Sequence, residues 1–206
     1  MMEMNQAGAD RCRMEPADIR IRPAVRADLP EIARLEKQCF SDPWSDEELA
    51  SCVKNPLYIF LAAERAPEAA SAGTQPADAA SGRPEGLPAD EGLREASEEG
   101  TLTESPADRP GIVGYIGMYR ALDEGNIANL AVDPAMRRQG VGRRLLEALL
   151  RQSAPLGVKT LFLEVRESNV PAFTLYESLG FCQVGRRRDY YQSPREDARI
   201  YARSLP

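Results

Sequence analysis

The stretch that most constrains the fold is "VDPAMRRQGVGRRLLEAL", residues 132–149. It joins an apolar run ending at Val132 to a run with the apolar spacing of an amphipathic helix, and two glycines and four arginines lie at the join. Glycine lets a backbone approach an anion closely, and the first N–H groups of a helix attract phosphate. The pattern therefore predicts either a phosphate-binding loop or a tight strand-to-helix turn with solvated arginines.

The two best-known phosphate motifs are not present in this stretch. A P-loop needs a lysine and a hydroxyl residue directly after its second glycine, but Arg143 and Arg144 follow Gly142. A dinucleotide fingerprint needs a third glycine at the position that Leu145 occupies. A phosphate-binding loop here would have to belong to another class.

Composition separates an insertion from the rest of the chain. Residues Ala66 to Pro110 contain ten acidic residues, three arginines and no aromatic residue. Because such a segment buries too little apolar surface to fold, we predict a disordered insertion within a hairpin loop. The whole chain has a net charge of −6, but without the insertion it is about +1. We expect residues 1–18 to be a flexible tail and residues 19–205 to form a single domain.

The remaining sequence reads as a mixed α/β series. Asp28 is a plausible helix N-cap, and Ser45 with Glu48 forms the pattern of a capping box. Apolar runs predict strands at 19–24, 57–64, 111–120, 127–133 and 160–167 and two closing strands, with helices between. Since strand–helix–strand order favours parallel pairing and hairpins are antiparallel, we predict a mixed sheet with helices on both faces.

Several functional classes lose support from residue usage. The chain has no histidine and four scattered cysteines without a CxxC pair, so zinc sites and Ser-His or Cys-His catalysis lose their usual participants. We expect no metal. The chain also begins without an apolar run long enough for a signal peptide or a spanning helix. We therefore expect a cytoplasmic protein with no membrane or direct nucleic-acid partner, and a monomer.

The downstream residues carry a family resemblance. "RRQGVG" fits the signature [RQ]-x-x-G-x-[GA] of the GNAT N-acetyltransferases, and the core resembles that superfamily over about 19–65 and 111–205. "FSDPWS", "LEVRESN", "LYESLGF" and "YYQSPREDA" are similar to its RimI branch, the bacterial ribosomal-protein alanine N-acetyltransferases. The resemblance implies the GNAT fold, which has a mostly antiparallel sheet and a splayed central pair of parallel strands. It also implies acetyl-coenzyme A as donor and the N-terminal alanine amine of a small-subunit ribosomal protein as acceptor.

The same resemblance implies a set of cofactor-binding residues. The pyrophosphate would lie on backbone N–H groups of the loop Arg138, Gln139, Gly140, Val141, Gly142 and Arg143. Backbone groups of Leu130, Ala131 and Val132 would pair with the pantetheine amides and polarise the thioester oxygen. Asn169 would either cap the following helix or contact the cofactor, and one residue can do both.

Two residues are candidates for proton transfer. Glu164 interrupts the apolar strand "LFLEV" and shares a face with Phe162 and Arg166. It is either ion-paired with a neighbouring arginine or, as the resemblance implies, the general base. The position of Tyr176 alone favours core packing, whereas the resemblance implies a general acid that protonates the departing thiolate.

Three aromatic residues are candidates for acceptor binding. Tyr190 and Tyr191 follow an arginine run and lie either on a solvated basic strand or, as the resemblance implies, in an acceptor-peptide groove. Trp44 shapes the same groove or covers the core. An acetyl-Cys182 route lacks a histidine to lower the thiol pKa, so we expect direct transfer in a ternary complex.

Amine chemistry favours an N-terminal acceptor. An α-amine is roughly a tenth neutral at pH 7, whereas a lysine amine is neutral at under about one part in a thousand.

The alternatives to an N-terminal acetyltransferase are a GNAT acting on a small-molecule amine or lysine, and a non-catalytic coenzyme A-binding module. The acidic insertion is either an inert linker or an attractor for basic partners.

Overall fold

The computed structural model describes residues 19–65 and 111–206. The predicted flexible tail, residues 1–18, and the predicted disordered insertion, residues 66–110, lie outside the described residues. No helix within the described ranges is both long and apolar enough to cross a membrane.

One seven-stranded sheet organises these residues, in the order β1-β2-β3-β4-β5-β7-β6. Every neighbouring pair is antiparallel except β4 and β5, which are parallel. This confirms the predicted mixed, mostly antiparallel sheet. The strands are β1 (Ile19–Pro23), β2 (Tyr58–Arg65), β3 (Ile112–Ala121), β4 (Glu124–Val132), β5 (Thr160–Arg166), β6 (Cys182–Gln192) and β7 (Arg195–Ser204).

Helices cover both faces of the sheet, as predicted. They are α1 (Leu29–Cys39), α2 (Asp46–Lys54), α3 (Val141–Ser153) and α4 (Val170–Ser178). Apolar residues of α1 and α2 pack with Phe60 and Tyr115 in one buried cluster. Those of α3 and α4 pack with Leu61 and Ile116 in a second cluster. Residues adjacent in a strand face opposite sides, so the two clusters lie on opposite faces of the sheet.

The two predicted helix starts have different outcomes. The Ser45 hydroxyl accepts from the Glu48 N–H at 3.3 Å, and the Glu48 carboxylate accepts from the Ser45 N–H at 2.8 Å, so the capping box is confirmed. Asp28 immediately precedes α1, but its side chain does not cap that helix. Its carboxylate accepts two hydrogen bonds from Arg22 and one from the Val25 N–H. Pairing with a cation is favoured here because Asp28 is buried.

The central parallel pair is splayed, as the family resemblance implied. Only Glu124–Ile127 of β4 pairs with Thr160–Leu163 of β5. Beyond these residues β4 follows β3 as far as Val132, and β5 follows β7 as far as Arg166. A gap therefore opens between the carboxyl ends of β4 and β5, and α3 and α4 begin after these same ends.

Candidate active site

Backbone groups of β4 line one side of the gap. The Asp133 N–H donates to the Val113 carbonyl at 2.8 Å, and hydrogen-bonding direction alternates along an antiparallel strand. Ala131 therefore directs its N–H and C=O towards β3, whereas Leu130 and Val132 direct theirs into the gap. The Val132 carbonyl also accepts contacts from the Cys39 thiol at 3.6 Å and Arg137 at 3.3 Å.

The loop after β4 exposes the first turn of α3. A short 3-10 turn, Pro134–Met136, is capped by Asp133, whose carboxylate accepts from the Ala135 N–H at 3.0 Å. Arg138 and Gly140 then take left-handed conformations, with φ of 65° and 82°. The N-cap residue of α3, Gly140, has no side chain with which to cap the helix. The first N–H groups of α3 lack intrahelical acceptors, so this helix start can bind an anion.

The two loop glycines are needed for different reasons. A Cβ at Gly140 would meet no heavy atom within 4 Å, so only the positive φ favours glycine there. A Cβ at Gly142 would lie 3.3 Å from the Leu175 side chain. Gly142 therefore lets α3 pack closely against α4, while Gly140 turns the backbone at the helix start.

The loop side chains mostly brace the protein itself. Arg143 donates to the Ser178 hydroxyl at 2.8 Å and Arg144 to the Ile19 carbonyl. Gln139 donates to the Ala135 carbonyl at 3.1 Å. Arg137, Arg138 and Arg143 are nevertheless exposed, so the solvated arginines of the alternative interpretation are also present. The loop backbone at Gly140 is exposed as well, so both backbone and arginine side chains face outward here.

Two further predicted residues lie at helix starts, Asn169 before α4 and Val141 in α3. Asn169 caps it, since its side-chain oxygen accepts from the Ala172 N–H at 3.3 Å. Val141, the first residue of α3, is buried in the core, so only its backbone can serve an anion.

Glu164 lies on β5 beside the gap. The strand alternates as predicted: Leu161, Leu163 and Val165 are buried, while Glu164 and Arg166 are partly exposed on the opposite face. The Glu164 carboxylate lies 3.2 Å from the Arg187 guanidinium, so the predicted alternative of an arginine ion pair is present. The two side chains are 26% and 56% exposed, and a pair this open to water contributes little stability. The carboxylate remains accessible from solvent.

Tyr176 is buried on α4, with its ring 5.9 Å from that of Phe181. Core packing, predicted from position alone, is therefore present. Burial, together with interaction with Tyr191, raises the pKa of the Tyr176 phenol above its ordinary value of 10. The phenol consequently holds its proton throughout the physiological pH range.

Tyr191 packs against an arginine and a second tyrosine. Its ring lies 4.1 Å from the Arg166 guanidinium and 5.1 Å from the Tyr190 ring. Burial first, and then Tyr190, raise the pKa of Tyr191 to about 12; Glu164 adds to this rise and Arg166 opposes it. A chain of side-chain contacts through Tyr190 and Arg187 links Tyr191 to Glu164. Tyr190 is more exposed and lies 5.5 Å from Arg187.

Trp44 sits in the α1–α2 connection above a buried polar network. The backbone N–H of Trp44 donates to one Glu36 carboxylate oxygen at 2.8 Å, and the Asn129 side-chain amide donates to the other at 2.7 Å. The same amide lies 3.2 Å from the Tyr115 hydroxyl. Trp44 itself is half-buried against the α1–α2 cluster. The network therefore fixes this connection to β4, just before Leu130.

Sequence reasoning missed Glu36, Asn129 and Arg166. The sequence carried one signal for Glu36: it follows Ile32 by four residues, so its carboxylate lies on the apolar face of the predicted helix. Arg166 carried a weaker signal, since it lies two residues from Glu164 and so on the same side of β5. Asn129 had no local signal.

The cysteine and acidic side chains of the described residues are dispersed. Residues 19–65 and 111–206 contain no group of three His, Cys, Asp or Glu side chains placed to hold a metal. Cys39, Cys52 and Cys182 form no disulfide, and Cys12 lies outside the described ranges.

Comparison with known proteins agrees with this geometry. A sequence profile of the acetyltransferase (GNAT) family matches residues 75–181, just over half of the chain. The ribosomal protein bS18 alanine N-acetyltransferase of Escherichia coli K12 is 54% identical over 83 residues, which are 39% of this chain. The chain spans about half, 56%, of that relative's length. The Haemophilus ducreyi enzyme of the same name is 44% identical over 46% of this chain and 68% of its own.

A solved structure extends the likeness to most of both chains. The crystal structure of the ribosomal-protein-S18-alanine N-acetyltransferase from Escherichia coli superimposes with a TM-score of 0.63. The match has 31% sequence identity and covers 91% of this chain and 94% of that one. With the splayed β4–β5 pair and the glycine loop before α3, these similarities show that the chain belongs to the acetyltransferase (GNAT) family.

Proposed function

We propose that this protein is an acetyl-coenzyme A-dependent Nα-acetyltransferase that modifies the N-terminal alanine of a small-subunit ribosomal protein. The observation that carries the proposal is the β4–β5 gap, which has the glycine loop and the start of α3 after one strand and the Glu164 carboxylate on the other. The names of the relatives from Escherichia coli and Haemophilus ducreyi supply the acceptor.

The donor half of the site suits coenzyme A. The α3 start offers N–H groups and the positive end of a helix dipole to a pyrophosphate, and Gly140 leaves the approach open. Leu130 and Val132 present backbone groups to an extended amide chain in the gap. Acetyl-coenzyme A supplies a thioester whose carbonyl carbon is open to attack by an amine. Asn169, the N-cap of α4, would contact the same molecule through the rest of its side-chain amide.

Glu164 and Tyr176 supply opposite proton transfers. In the overall reaction the amine nitrogen bonds to the acetyl carbon and the carbon–sulfur bond breaks. Glu164, directly or through water, accepts the proton that the amine loses. Tyr176, kept protonated by its raised pKa, donates its phenolic proton to the departing thiolate. No covalent acetyl-enzyme is needed, so both substrates are bound together when transfer occurs.

The acceptor half lies between the α1–α2 connection and the β6–β7 hairpin. Trp44 comes from the first segment, and Tyr190 and Tyr191 from the second. An α-amine suits this site because a tenth or so is already neutral at pH 7. A single accessible carboxylate such as Glu164 is then a sufficient base.

Steady-state kinetics test the proposal. Release of free coenzyme A is measured with a peptide that begins with alanine and continues with the N-terminal residues of bS18. The same peptide with a blocked N-terminus but intact lysines is the matched control. We expect turnover only with the open N-terminus. Faster turnover with polyamines or the blocked peptide would support a small-molecule or lysine acetyltransferase, and no release with any amine would support a non-catalytic coenzyme A-binding module.

A further inference from the structure

Arg166 joins the two segments that flank the proposed acceptor groove. Its guanidinium donates to the Ser41 hydroxyl at 2.9 Å, in the α1–α2 connection. It also donates to the carbonyls of Ser193 at 2.9 Å and Pro194 at 3.0 Å, in the β6–β7 turn. Ser41 and Ser193 lie at opposite ends of the folded sequence, yet one side chain binds both.

The same side chain supports two functional neighbours. Its guanidinium lies 4.1 Å from the centre of the Tyr191 ring and 3.3 Å from the Glu196 carboxylate. Glu196 in turn accepts from the Ser168 N–H at 2.5 Å, at the residue before the α4 cap. Arg166 is therefore tied, directly or through Glu196, to all three segments that converge on the carboxyl end of β5.

We propose that Arg166 is a positioning and specificity residue that sets the width of the acceptor groove and the placement of Tyr191. The inference rests on the proposed function, because it concerns the acceptor of that reaction. The planar guanidinium presents several N–H donors in a fixed arrangement, which suits simultaneous binding to two carbonyls, a hydroxyl and a carboxylate. With 23% of its side chain exposed, Arg166 is held mainly by these contacts.

The geometry assigns this role to the acceptor side rather than the donor side. All of these contacts reach the α1–α2 connection, the β6–β7 hairpin or the loop that starts α4. The proposed coenzyme A site is built mainly from β4 and the start of α3. Its one residue from the α4 loop, Asn169, is held by its own cap on α4 and not by Arg166. Loss of Arg166 should therefore raise the KM for the acceptor peptide and leave the Kd for coenzyme A unchanged.

Arg199 offers a matched control. It also stacks on an aromatic ring, that of Phe173 at 4.6 Å, and lies 3.6 Å from a carboxylate, that of Glu167. Its partner in the β5–β7 register is buried Val165, so it lies on the opposite face of β5 from Arg166. Arg199→Gln removes a comparable cation and ring contact without touching the α1–α2 connection or the β6–β7 turn, which Arg166 binds.

The test compares Arg166→Gln, Arg166→Lys, Ser41→Ala and Arg199→Gln with the full wild-type chain. Peptide KM, kcat, the Kd for coenzyme A and the thermal midpoint are measured for each. For Arg166→Gln we expect a rise in peptide KM of about tenfold or more, since several charge-assisted hydrogen bonds are lost. Coenzyme A Kd should change less than about twofold. Arg166→Lys and Ser41→Ala should give smaller KM increases, and Arg199→Gln none.

The outcomes separate the two proposals. An active wild type with unchanged peptide KM in Arg166→Gln would overturn the role of Arg166 alone. So would parallel losses in coenzyme A binding, or an equal effect of Arg199→Gln. If Arg166→Gln does not fold, the peptide KM values of Arg166→Lys and Ser41→Ala test the role of Arg166. An unchanged peptide KM in both variants would contradict the inference. A wild type that acetylates no peptide would overturn the proposed function itself, and the inference with it.

Discussion

The Glu164 carboxylate lies 3.2 Å from the Arg187 guanidinium, at the point where β5 leaves β4. The ion pair orients the carboxylate beside the gap without burying it. Glu164 is thus held in place on the strand and remains in contact with water, as a base acting directly or through water requires.

Replacing Glu164 by glutamine should cut kcat about a hundredfold to ten-thousandfold, because the amide cannot accept the amine proton. Binding of coenzyme A should be retained. Glu167→Gln is the matched control, since Glu167 lies just beyond the same strand and also pairs with arginines, Arg186 and Arg199. Stopped-flow or thiol-release kinetics would measure both variants, and full turnover in Glu164→Gln would remove Glu164 from the mechanism.

Replacing Tyr176 by phenylalanine should lower kcat by about a hundredfold or more while keeping the ring contact with Phe181. The substitution removes only a hydroxyl, so the peptide KM and the fold should change little. Chemical quench of a single turnover would show whether bond breaking is slowed. Equal single-turnover rates for variant and wild type would indicate that Tyr176 is only a packing residue.

Replacing Gly140 by alanine should destabilise the protein by about 1–2 kcal/mol, because a Cβ disfavours the left-handed conformation. It should also weaken coenzyme A binding, since the first turn of α3 would shift. Gly157→Ala is a close control: its φ is 80°, its Cβ would also meet nothing within 4 Å, and it lies beyond the far end of α3. Denaturant unfolding and calorimetric titration should show similar stability losses but a binding defect only at Gly140. Equal coenzyme A affinity in both variants would contradict the proposed pyrophosphate site.

Glu36 predicts a specific pH dependence of stability. Burial raises the pKa of its carboxyl above the ordinary 4.5, outweighing the opposing hydrogen bonds from the Trp44 N–H and the Asn129 amide. Because the folded protein then binds more protons than the unfolded chain, this group lowers the free energy of unfolding as the pH rises from the ordinary pKa through the raised one.

The variant Glu36→Gln isolates that contribution. Glutamine offers only one acceptor to the two N–H donors, so the variant should be less stable by about 1–3 kcal/mol in acid, where the carboxyl is protonated. The difference from wild type should narrow as the pH rises, because only the wild type then has to ionise a buried carboxyl. Urea unfolding of both proteins, at pH values from below the ordinary carboxyl pKa to neutral, would measure the difference in free energy of unfolding. If that difference widens as the pH rises, the pKa of Glu36 in the folded protein is lowered and not raised.

Local patterns were enough to predict the parts of the site that depend on one segment. The period-two alternation around Glu164 fixed its face of β5, and the glycines after β4 located the start of α3. The Ser45–Glu48 capping box is local in the same way. Each of these features is decided by residues within a few positions of one another.

Contacts between distant segments were not predictable in the same way. Arg166 binds Ser41 across 125 residues, and no spacing in the sequence relates the two positions. Asp28 fits the N-cap rule, but tertiary pairing with Arg22 redirects its side chain. The Glu164–Arg187 pair likewise depends on β7 lying between β5 and β6, an order that strand patterns alone do not specify.

The most direct test of the proposed function is to find where acetyl groups appear. The full chain, with Glu164→Gln as the inactive control, is incubated with acetyl-coenzyme A and a mixture of unacetylated small-subunit ribosomal proteins, and new acetyl groups are located by mass spectrometry. We predict one acetyl group on the α-amine of an N-terminal alanine, present with the wild type and strongly reduced with the variant. Acetylation confined to lysine side chains, or equal with both proteins, would contradict the proposed function.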